Sequence, residues 1–376
     1  MTEQYIDHSA ALHDLCAEVK SSPWLAVDTE FLREKTYYPR LCLIQIAIPG
    51  CVACIDPLAI EDLTPLVEVF FNPLVLKVMH AASQDLEVLF PLRGAAPLPV
   101  FDTQIAACLM GRRANISYAE LVEQMLNITL AKAHTRTDWS QRPLSPEQVR
   151  YAADDVRYLA QVYLMQREML ADLGRLDWLE ADFAALSEPH RYLSIPDQAW
   201  RRVKDSQRLR GVKLAVLQLL AAWREMRAIQ VNRPRKWILP DELLVLLAER
   251  MPPTTSEVLT IINGQKEARQ ATAAALTECI HEAQQIPREL WPTHLPRGGY
   301  NEQQLEAIAA MLELVNVRAT QTNIAPTLLA TRRDVERLVA GDQTGIVMQG
   351  FRREVIGKPL LEILVKKSLL SVADIL

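Results

Sequence analysis

The pattern of apolar positions differs between the two halves of this 376-residue chain. In the first half, short apolar runs rich in β-branched residues alternate with segments whose apolar residues recur every three or four positions, as in helices. This alternation predicts an α/β domain with a mixed five-stranded sheet. The predicted strands are 24–30, 40–48, 51–55, 75–80 and 98–101, and the predicted helices are 9–20, 62–71, 84–92, 103–111, 118–126 and 147–170.

The lengths of the connections predict how these strands pair. Short connections join the first three strands, which favours antiparallel pairing, whereas the last two strands follow helices and are expected to run parallel.

After Pro196 the strand pattern ends and the helical period continues alone. Two stretches there resemble one another, WILPDELLVLLAER at 237–250 and NIAPTLLATRRDVERLV at 323–339. Each follows a long helical pattern and places Pro before a Leu-Leu pair. Their separation of roughly 85 residues predicts duplicated helical domains.

The main candidates for catalytic residues are carboxylates whose side chains point in the same direction. Asp28 and Glu30 lie two residues apart in the predicted strand WLAVDTE, so both side chains point to one face. Asp85 follows the apolar run VLKVMH, where a strand gives way to a helix, and such positions commonly carry sites in α/β sheets. In YAADDVRYL, Tyr151 shares a helix face with an aspartate three or four residues later, and spacing alone leaves Asp154 and Asp155 as alternatives.

Carboxylates that converge on one pocket repel one another unless cations are bound between them. Oxygen ligands of this kind suit Mg²⁺ or Mn²⁺, especially where a substrate supplies phosphate oxygens. Two such ions about 3.5 to 4 Å apart would hold the attacking and leaving oxygens of a phosphodiester.

These motifs, in this order, resemble the DEDD exonuclease superfamily in its tyrosine-bearing branch. The histidine-bearing branch would have His where this chain has Arg150. The segments between the motifs are similar to the ribonuclease D family, namely TYYPRLCLIQIA (36–47), HAASQDLEVL (80–89), FDTQIAA (101–107) and TDWSQRPL (137–144). The stretch LQLLAAWREMRAIQVNRPRKWILPDELL resembles the HRDC module. The second repeat lacks the Trp of LAAWR, so its assignment rests on the repeat and on the domain order of the family.

The resemblance implies a fold and a division of the chain. It implies an α/β ribonuclease H-like exonuclease domain at 1–190, a linker at 191–208, and two all-α HRDC-like domains at 209–292 and 293–376. It also implies a monomer that hydrolyses RNA stepwise from a free 3′ end, releases nucleoside 5′-monophosphates, and trims tRNA precursors and other small RNAs.

The resemblance also assigns roles to residues. Asp28, Glu30, Asp85 and Asp155 would hold two divalent ions, Mg²⁺ or Mn²⁺, and the fourth carboxylate would therefore be Asp155. Tyr151 would orient the attacking water. No nucleophilic side chain is required.

Other positions have simpler interpretations beside the functional one. Asp102 precedes a helical pattern and is expected to cap it, His80 is expected to form structural hydrogen bonds, and Trp139 is expected to anchor its loop. Arg142 is a candidate phosphate contact. The further candidates for RNA binding are Arg224, Arg227, Arg235, Lys236, Trp237, Arg332 and Arg333.

Charge is distributed unevenly, although the chain carries only −5 overall. Residues 1–190 have 15 Lys and Arg against 26 Asp and Glu, a net charge of −11, and residues 191–376 have 26 against 20, a net charge of +6. An acidic half that needs cations beside a basic half that attracts phosphates is typical of an enzyme acting on nucleic acid. The six scattered cysteines indicate no disulfide framework. With no signal peptide or apolar run of 18 residues, the expected compartment is the cytoplasm, away from membranes.

Two other functions are compatible with parts of the sequence. A 3′→5′ exonuclease acting on single-stranded DNA in repair or proofreading would use the same carboxylates. A non-catalytic binding protein would be indicated by a broken carboxylate set, but all four are present. A helicase is excluded because the chain has no GxxxxGK[ST] phosphate loop.

Overall fold

The computed structural model describes residues 2–130, 137–265, 269–294 and 299–370, which fall into two units. The first unit contains the described residues of Met1–Glu30, Cys42–Glu188 and Gly298–Leu376. The second contains those of Phe31–Leu41 and Pro189–Arg297. Both units are therefore assembled from segments that are separate in sequence.

A mixed sheet of six strands organises the amino-terminal half, with the order β1-β4-β3-β2-β5-β6. Strands β3 and β4 are antiparallel, whereas β2 with β5 and β5 with β6 run parallel, as the lengths of the connections predict. The strands are β1 Thr2–Ile6, β2 Trp24–Leu32, β3 Arg40–Ile48, β4 Cys51–Ile55, β5 Leu76–Met79 and β6 Val100–Asp102.

The predicted count of five strands is wrong because β1 was not expected. Its sequence TEQYI carries no alternating apolar pattern, and only Ile6 is buried. The strand forms through backbone pairing instead. It runs parallel to β4, from Thr2 opposite Cys51 to Ile6 opposite Ile55, and it is an edge strand of the sheet. An edge strand needs little apolar sequence because one of its sides faces solvent.

Seven helices accompany the sheet in the described part of the first 188 residues. Helix α6 packs against β4 and β5, and α4 and α7 pack against β6. Leu43, Ile44 and Ile46 of the central strand β3 are buried in the core. The helices are α1 Ser9–Lys20, α2 Thr64–Phe70, α3 Ser83–Leu89, α4 Thr103–Cys108, α5 Tyr118–Leu126, α6 Pro146–Asp172 and α7 Glu180–Ala185.

Helix α6 is the longest of these, and its start is fixed by local chemistry. The Ser145 hydroxyl accepts from the Gln148 amide, and the Gln148 side chain accepts from the Ser145 amide, which forms a capping box. Pro146 occupies the first turn, where its missing N–H is not needed. The cap therefore fixes the residue at which the helix that carries Tyr151 and Asp155 begins.

Residues 299–370, the described carboxyl-terminal part of the chain, add five more helices to the first unit. Within this unit, Arg352 donates to both oxygens of Asp182 at 2.9 and 2.6 Å, and both side chains are almost fully buried. Phe351 stacks on Trp178 with ring centroids 4.6 Å apart. These contacts attach the last helices to the sheet-bearing part of the same unit. The helices are α13 Glu302–Thr322, α14 Pro326–Leu329, α15 Arg332–Val339, α16 Gly350–Arg352 and α17 Lys358–Lys366, with a π-helical turn at Arg353–Gly357.

The second unit is helical in the described part of Pro189–Arg297, whereas its segment Phe31–Leu41 contains the end of β2 and the start of β3. Its core surrounds α8, from which Leu214, Leu217 and Leu220 are fully buried. A long helix, a one-turn helix and a third helix follow one another here, and the same order recurs in α13, α14 and α15. The helices are α8 Val212–Gln230, α9 Arg235–Ile238, α10 Asp241–Arg250, α11 Thr255–Ile262 and α12 Gln270–Gln285.

A membrane-spanning helix is not found in the described ranges, since none of their helices is both long and apolar enough.

Candidate active site

Three carboxylates from two elements meet at the end of β2. Asp28 and Glu30 project from the same face of β2, as the strand period predicts, and Asp155 reaches them from α6. One oxygen from each side chain lies within 4.8 Å of the others. This spacing is suitable for a shared cation.

The structure separates the two adjacent aspartates that spacing alone left open. Asp155 belongs to the carboxylate cluster. The Asp154 side chain instead forms an ion pair with Arg157, one turn further along α6. The residue that faces Asp28 and Glu30 is therefore Asp155.

Asp85 is the fourth carboxylate, and it lies in the first turn of α3. Its side chain is buried, and the Thr29 hydroxyl donates to Asp85 Oδ1 at 2.6 Å. Thr29 lies between Asp28 and Glu30 on β2, so one short strand segment supplies two of the carboxylates and hydrogen-bonds a third. Sequence reasoning did not identify Thr29, although its position inside the Asp-Thr-Glu motif was visible.

Burial and neighbouring negative charges raise the pKa of all four acids. Burial and then the charge of Asp155 raise the pKa of Asp28 to about 8, and burial followed by Asp28, Asp155 and Asp85 raises that of Glu30 to about 9. Burial and then the charge of Asp154 raise the pKa of Asp155 to about 7, and burial with the charge of Asp28 raises that of Asp85. Across the described ranges, no Lys or Arg forms an ion pair with any of the four.

Tyr151 lies one helical turn before Asp155. Burial, followed by the negative charges of Asp155, Glu30 and Asp28, raises its pKa and keeps the phenol protonated. Its ring lies 6.2 Å from that of buried Trp139. The hydroxyl is therefore a donor beside the carboxylate cluster, and Trp139 supports the ring.

Asp102 caps α4, as its position before that helix predicts. Its carboxylate accepts from the amides of Gln104 and Ile105 at 2.8 and 3.3 Å, and from those of Ala81 and Ala82 at 3.1 and 2.8 Å. This side chain holds the turn that leads to Asp85, and it is not one of the clustered ligands.

His80 and Tyr118 connect elements around the site. His80 Nδ1 lies 2.9 Å from Thr103 Oγ1, and His80 Nε2 lies 3.1 Å from the Ile116 carbonyl oxygen. Tyr118, whose ring packs near His80, donates its hydroxyl to the Asp154 carbonyl oxygen at 3.1 Å. Tyr118 therefore fixes the helical turn that presents Asp155, a role that sequence reasoning missed because the two segments are 36 residues apart.

Arg142 has a structural role that corrects its assignment as a phosphate contact. It donates to both carboxylate oxygens of buried Asp56 at 2.5 and 2.7 Å, and to the carbonyl oxygens of Cys42, Trp139 and Gln141 at 2.7 to 2.8 Å. These bonds occupy the guanidinium group. Arg142 therefore holds the loop before α6 against the sheet.

Arg224 also differs from its expected role. It is 3% exposed and donates to Asp241 at 2.7 Å and to the Leu239 carbonyl oxygen at 2.9 Å, so it belongs to the core of the second unit. Arg235 is partly committed, since it pairs with buried Glu225 and donates to Tyr37. The remaining candidates reach the surface. Lys236, Trp237, Arg332 and Arg333 are exposed, and Arg227 is half-buried.

Two family models match the chain. One, described as a 3′-5′ exonuclease, matches residues 4–171, and one for the HRDC domain matches residues 213–280. The first match contains every clustered carboxylate and Tyr151. The predicted fold class, an α/β exonuclease domain followed by helical HRDC sequence, is confirmed.

Similar proteins cover nearly the whole chain. Ribonuclease D from Acidiphilium cryptum is 39% identical over 95% of this chain and 92% of its own length. Ribonuclease D from Pseudomonas paraeruginosa is 39% identical over 96% of this chain and 97% of its own length. The crystal structure of Escherichia coli RNase D, described as an exoribonuclease involved in structured RNA processing, superposes with a TM-score of 0.84 at 32% identity, covering 97% of this chain and 99% of that one.

Proposed function

This chain belongs to the ribonuclease D family and is a 3′→5′ exoribonuclease, and we propose that it uses two divalent ions to trim 3′ extensions from tRNA precursors and other small RNAs. The proposal rests on one observation, the approach of Asp28, Glu30 and Asp155 to within 4.8 Å. The products would be nucleoside 5′-monophosphates.

The residues present suit Mg²⁺ or Mn²⁺. All donors are carboxylate oxygens, they raise one another's pKa, and the described residues supply no cation that pairs with them. Asp28, Glu30 and Asp155 would hold one ion, and Asp28 and Asp85 would hold the second. When bound, such ions lower the pKa of water and stabilise negative charge on the leaving oxygen.

Tyr151 would orient the attacking water. Its phenol stays protonated beside the carboxylates, so it can donate a hydrogen bond but does not act as a base near neutral pH. Thr29 and Tyr118 would act as positioning residues, the first for Asp85 and the second for the turn that bears Asp155. The protein itself would therefore hold the carboxylates and the Tyr151 hydroxyl in nearly fixed positions.

The helical parts would hold the RNA through its backbone. The HRDC match lies inside the proposed first helical domain at 209–292, and the repeated order of α13, α14 and α15 supports a second at 293–376. The exposed candidates for phosphate contact are Lys236, Arg332 and Arg333, with half-buried Arg227 and with Arg235 beside them. Arg233 lies over the ring of exposed Trp237 at 5.9 Å, and an aromatic ring among cations is a type of side chain on which RNA bases stack.

Digestion of matched substrates tests the proposed substrate class. We expect a tRNA precursor with a 3′ extension to lose single nucleotides in Mg²⁺ or Mn²⁺, and to remain intact in EDTA. Single-stranded DNA of the same sequence as the extension is the comparison. Time courses on sequencing gels give both rates, and faster degradation of DNA would contradict the assignment of RNA as the substrate.

Replacing Tyr151 with Phe tests the role of the phenol. The substitution removes one hydroxyl and no charge, so kcat should fall by about a hundredfold while the metal concentration for half-maximal activity stays unchanged. Tyr158→Phe is the matched control, because Tyr158 lies on the same helix but packs into an apolar cluster. An equal loss of activity in both variants would argue against a role for Tyr151 in orienting water.

A further inference from the structure

The most basic stretch of the second unit lies before and at the start of α8. In residues 201–213, RRVKDSQRLRGVK, six side chains are cationic and one is acidic. The acid, Asp205, forms an ion pair with Arg208 at 3.1 Å. Arg201 and Arg210 are exposed and have no acidic partner among the described residues. This concentration of positive charge is not used by the core of the unit.

A cavity of about 770 Å³ opens beside this stretch. Arg201 lies over the ring of buried Trp200 at 5.5 Å, and the His294 ring meets Trp200 edge-on at 5.2 Å. His294 Nε2 is held 3.2 Å from the Leu209 carbonyl oxygen. The wall of the cavity is therefore a packed aromatic set with a guanidinium group against it. We call this cavity the basic cleft; it is lined by Trp200, Arg201, Ser206, Arg210, Gly211 and His294.

Two features inside the basic cleft suit an anion. Ser206 is 5% exposed and lines the cleft, and its hydroxyl has no hydrogen-bond partner within the described residues. The 19-residue helix α8 begins at the same place, and no side chain caps it at Gly211. Free amides at a helix start and an unused hydroxyl are both donors that phosphate oxygens accept.

From these features we infer that the basic cleft binds a backbone phosphate of the RNA other than the one being cleaved. The inference rests on the proposed function, which supplies RNA as the ligand. Arg201 and Arg210 provide charge, Ser206 and the first amides of α8 provide donors, and Trp200 fixes Arg201. Contacts of this kind position RNA without reading its sequence.

The test compares two double variants with equal loss of charge. Arg201→Gln with Arg210→Gln removes two cations of the cleft, and Arg250→Gln with Arg288→Gln removes two exposed cations elsewhere in the same unit. Binding of a fluorescent RNA hairpin with a 3′ overhang is measured in EDTA over a range of salt concentrations. The EDTA makes the result independent of whether this RNA is hydrolysed.

We expect the cleft variant to bind the hairpin about tenfold more weakly, and the magnitude of its slope of log affinity against log salt to fall by about 1, as loss of one phosphate contact predicts. The control should bind as the unaltered protein does. The conservative variant Arg201→Lys with Arg210→Lys keeps both charges and should retain the slope. A slope that falls only in the Gln variant therefore reports the loss of charge and not a loss of folding. Inorganic phosphate should compete only at millimolar concentrations. Equal weakening in cleft and control variants, or full competition by free phosphate at low concentration, would overturn the inference.

Discussion

Asp155→Asn is expected to lower kcat for RNA by more than about a hundredfold. Loss of a residue that only supports a metal ligand commonly reduces activity by about 10-fold to 100-fold, so loss of a ligand should exceed this. The same substitution removes a charge that raises the pKa of Asp28 and Glu30, so the metal-free protein should melt at the same or a higher temperature. Single-turnover hydrolysis and thermal melting in EDTA measure the two effects.

Asp154→Asn is a closely matched control, since it makes the same chemical change one residue away. Asp154 pairs with partly exposed Arg157 and is not one of the clustered carboxylates, so the variant should keep nearly full activity and lose at most about 1 kcal/mol of stability. Comparable loss of activity in both variants would show that the cluster is not the catalytic centre.

The metal-free protein is expected to lose stability as pH rises from about 6 to 9. The pKa values of Asp155, Asp28 and Glu30 rise to about 7, 8 and 9 in the folded protein, whereas the unfolded chain releases these protons near pH 4. Between these limits the folded state binds more protons than the unfolded state, so its stability falls with pH. The melting temperature should drop by at least about 5 °C over this range.

Added Mg²⁺ or Mn²⁺ should oppose that loss. The ions bind ionised carboxylates, so the rise in melting temperature at a fixed metal concentration should be larger at pH 8.5 than at pH 6. Asp28→Asn should flatten both the pH dependence and the metal response. A metal response that is the same at both pH values would contradict this account of the site.

Periodic sequence patterns predicted the elements that carry the site. The bounds of β3 and β4 and those of α5 agree with the predictions to the residue, because strand burial and the Ser117 cap with the left-handed Asn127 leave clear local signals. Strand β1 has no such signal, since its pairing is made by backbone groups that every sequence possesses. Local pattern therefore predicts buried elements well and polar edge strands poorly.

The sequence pattern could not predict which side chains the charged residues would pair with. Arg224 and Arg142 looked like surface cations, but each finds a buried carboxylate, 17 residues away for Arg224 and 86 for Arg142. Similarly, Tyr37 donates to Glu225 at a separation of 188 residues, and the segment Phe31–Leu41 groups with the second unit. Such pairs depend on how distant segments of the chain pack together. Residue type and spacing along the sequence do not contain that information.

The buried pair of Asp182 and Arg352 sets an order of events during synthesis. The two residues are 170 positions apart, so at ordinary translation rates Asp182 emerges from the ribosome roughly 10 to 30 seconds before its partner. Until then its carboxylate stays hydrated and the place of Phe351 on Trp178 stays open. The packing around Asp182 and Trp178 is therefore complete only after Phe351 and Arg352 have been synthesised.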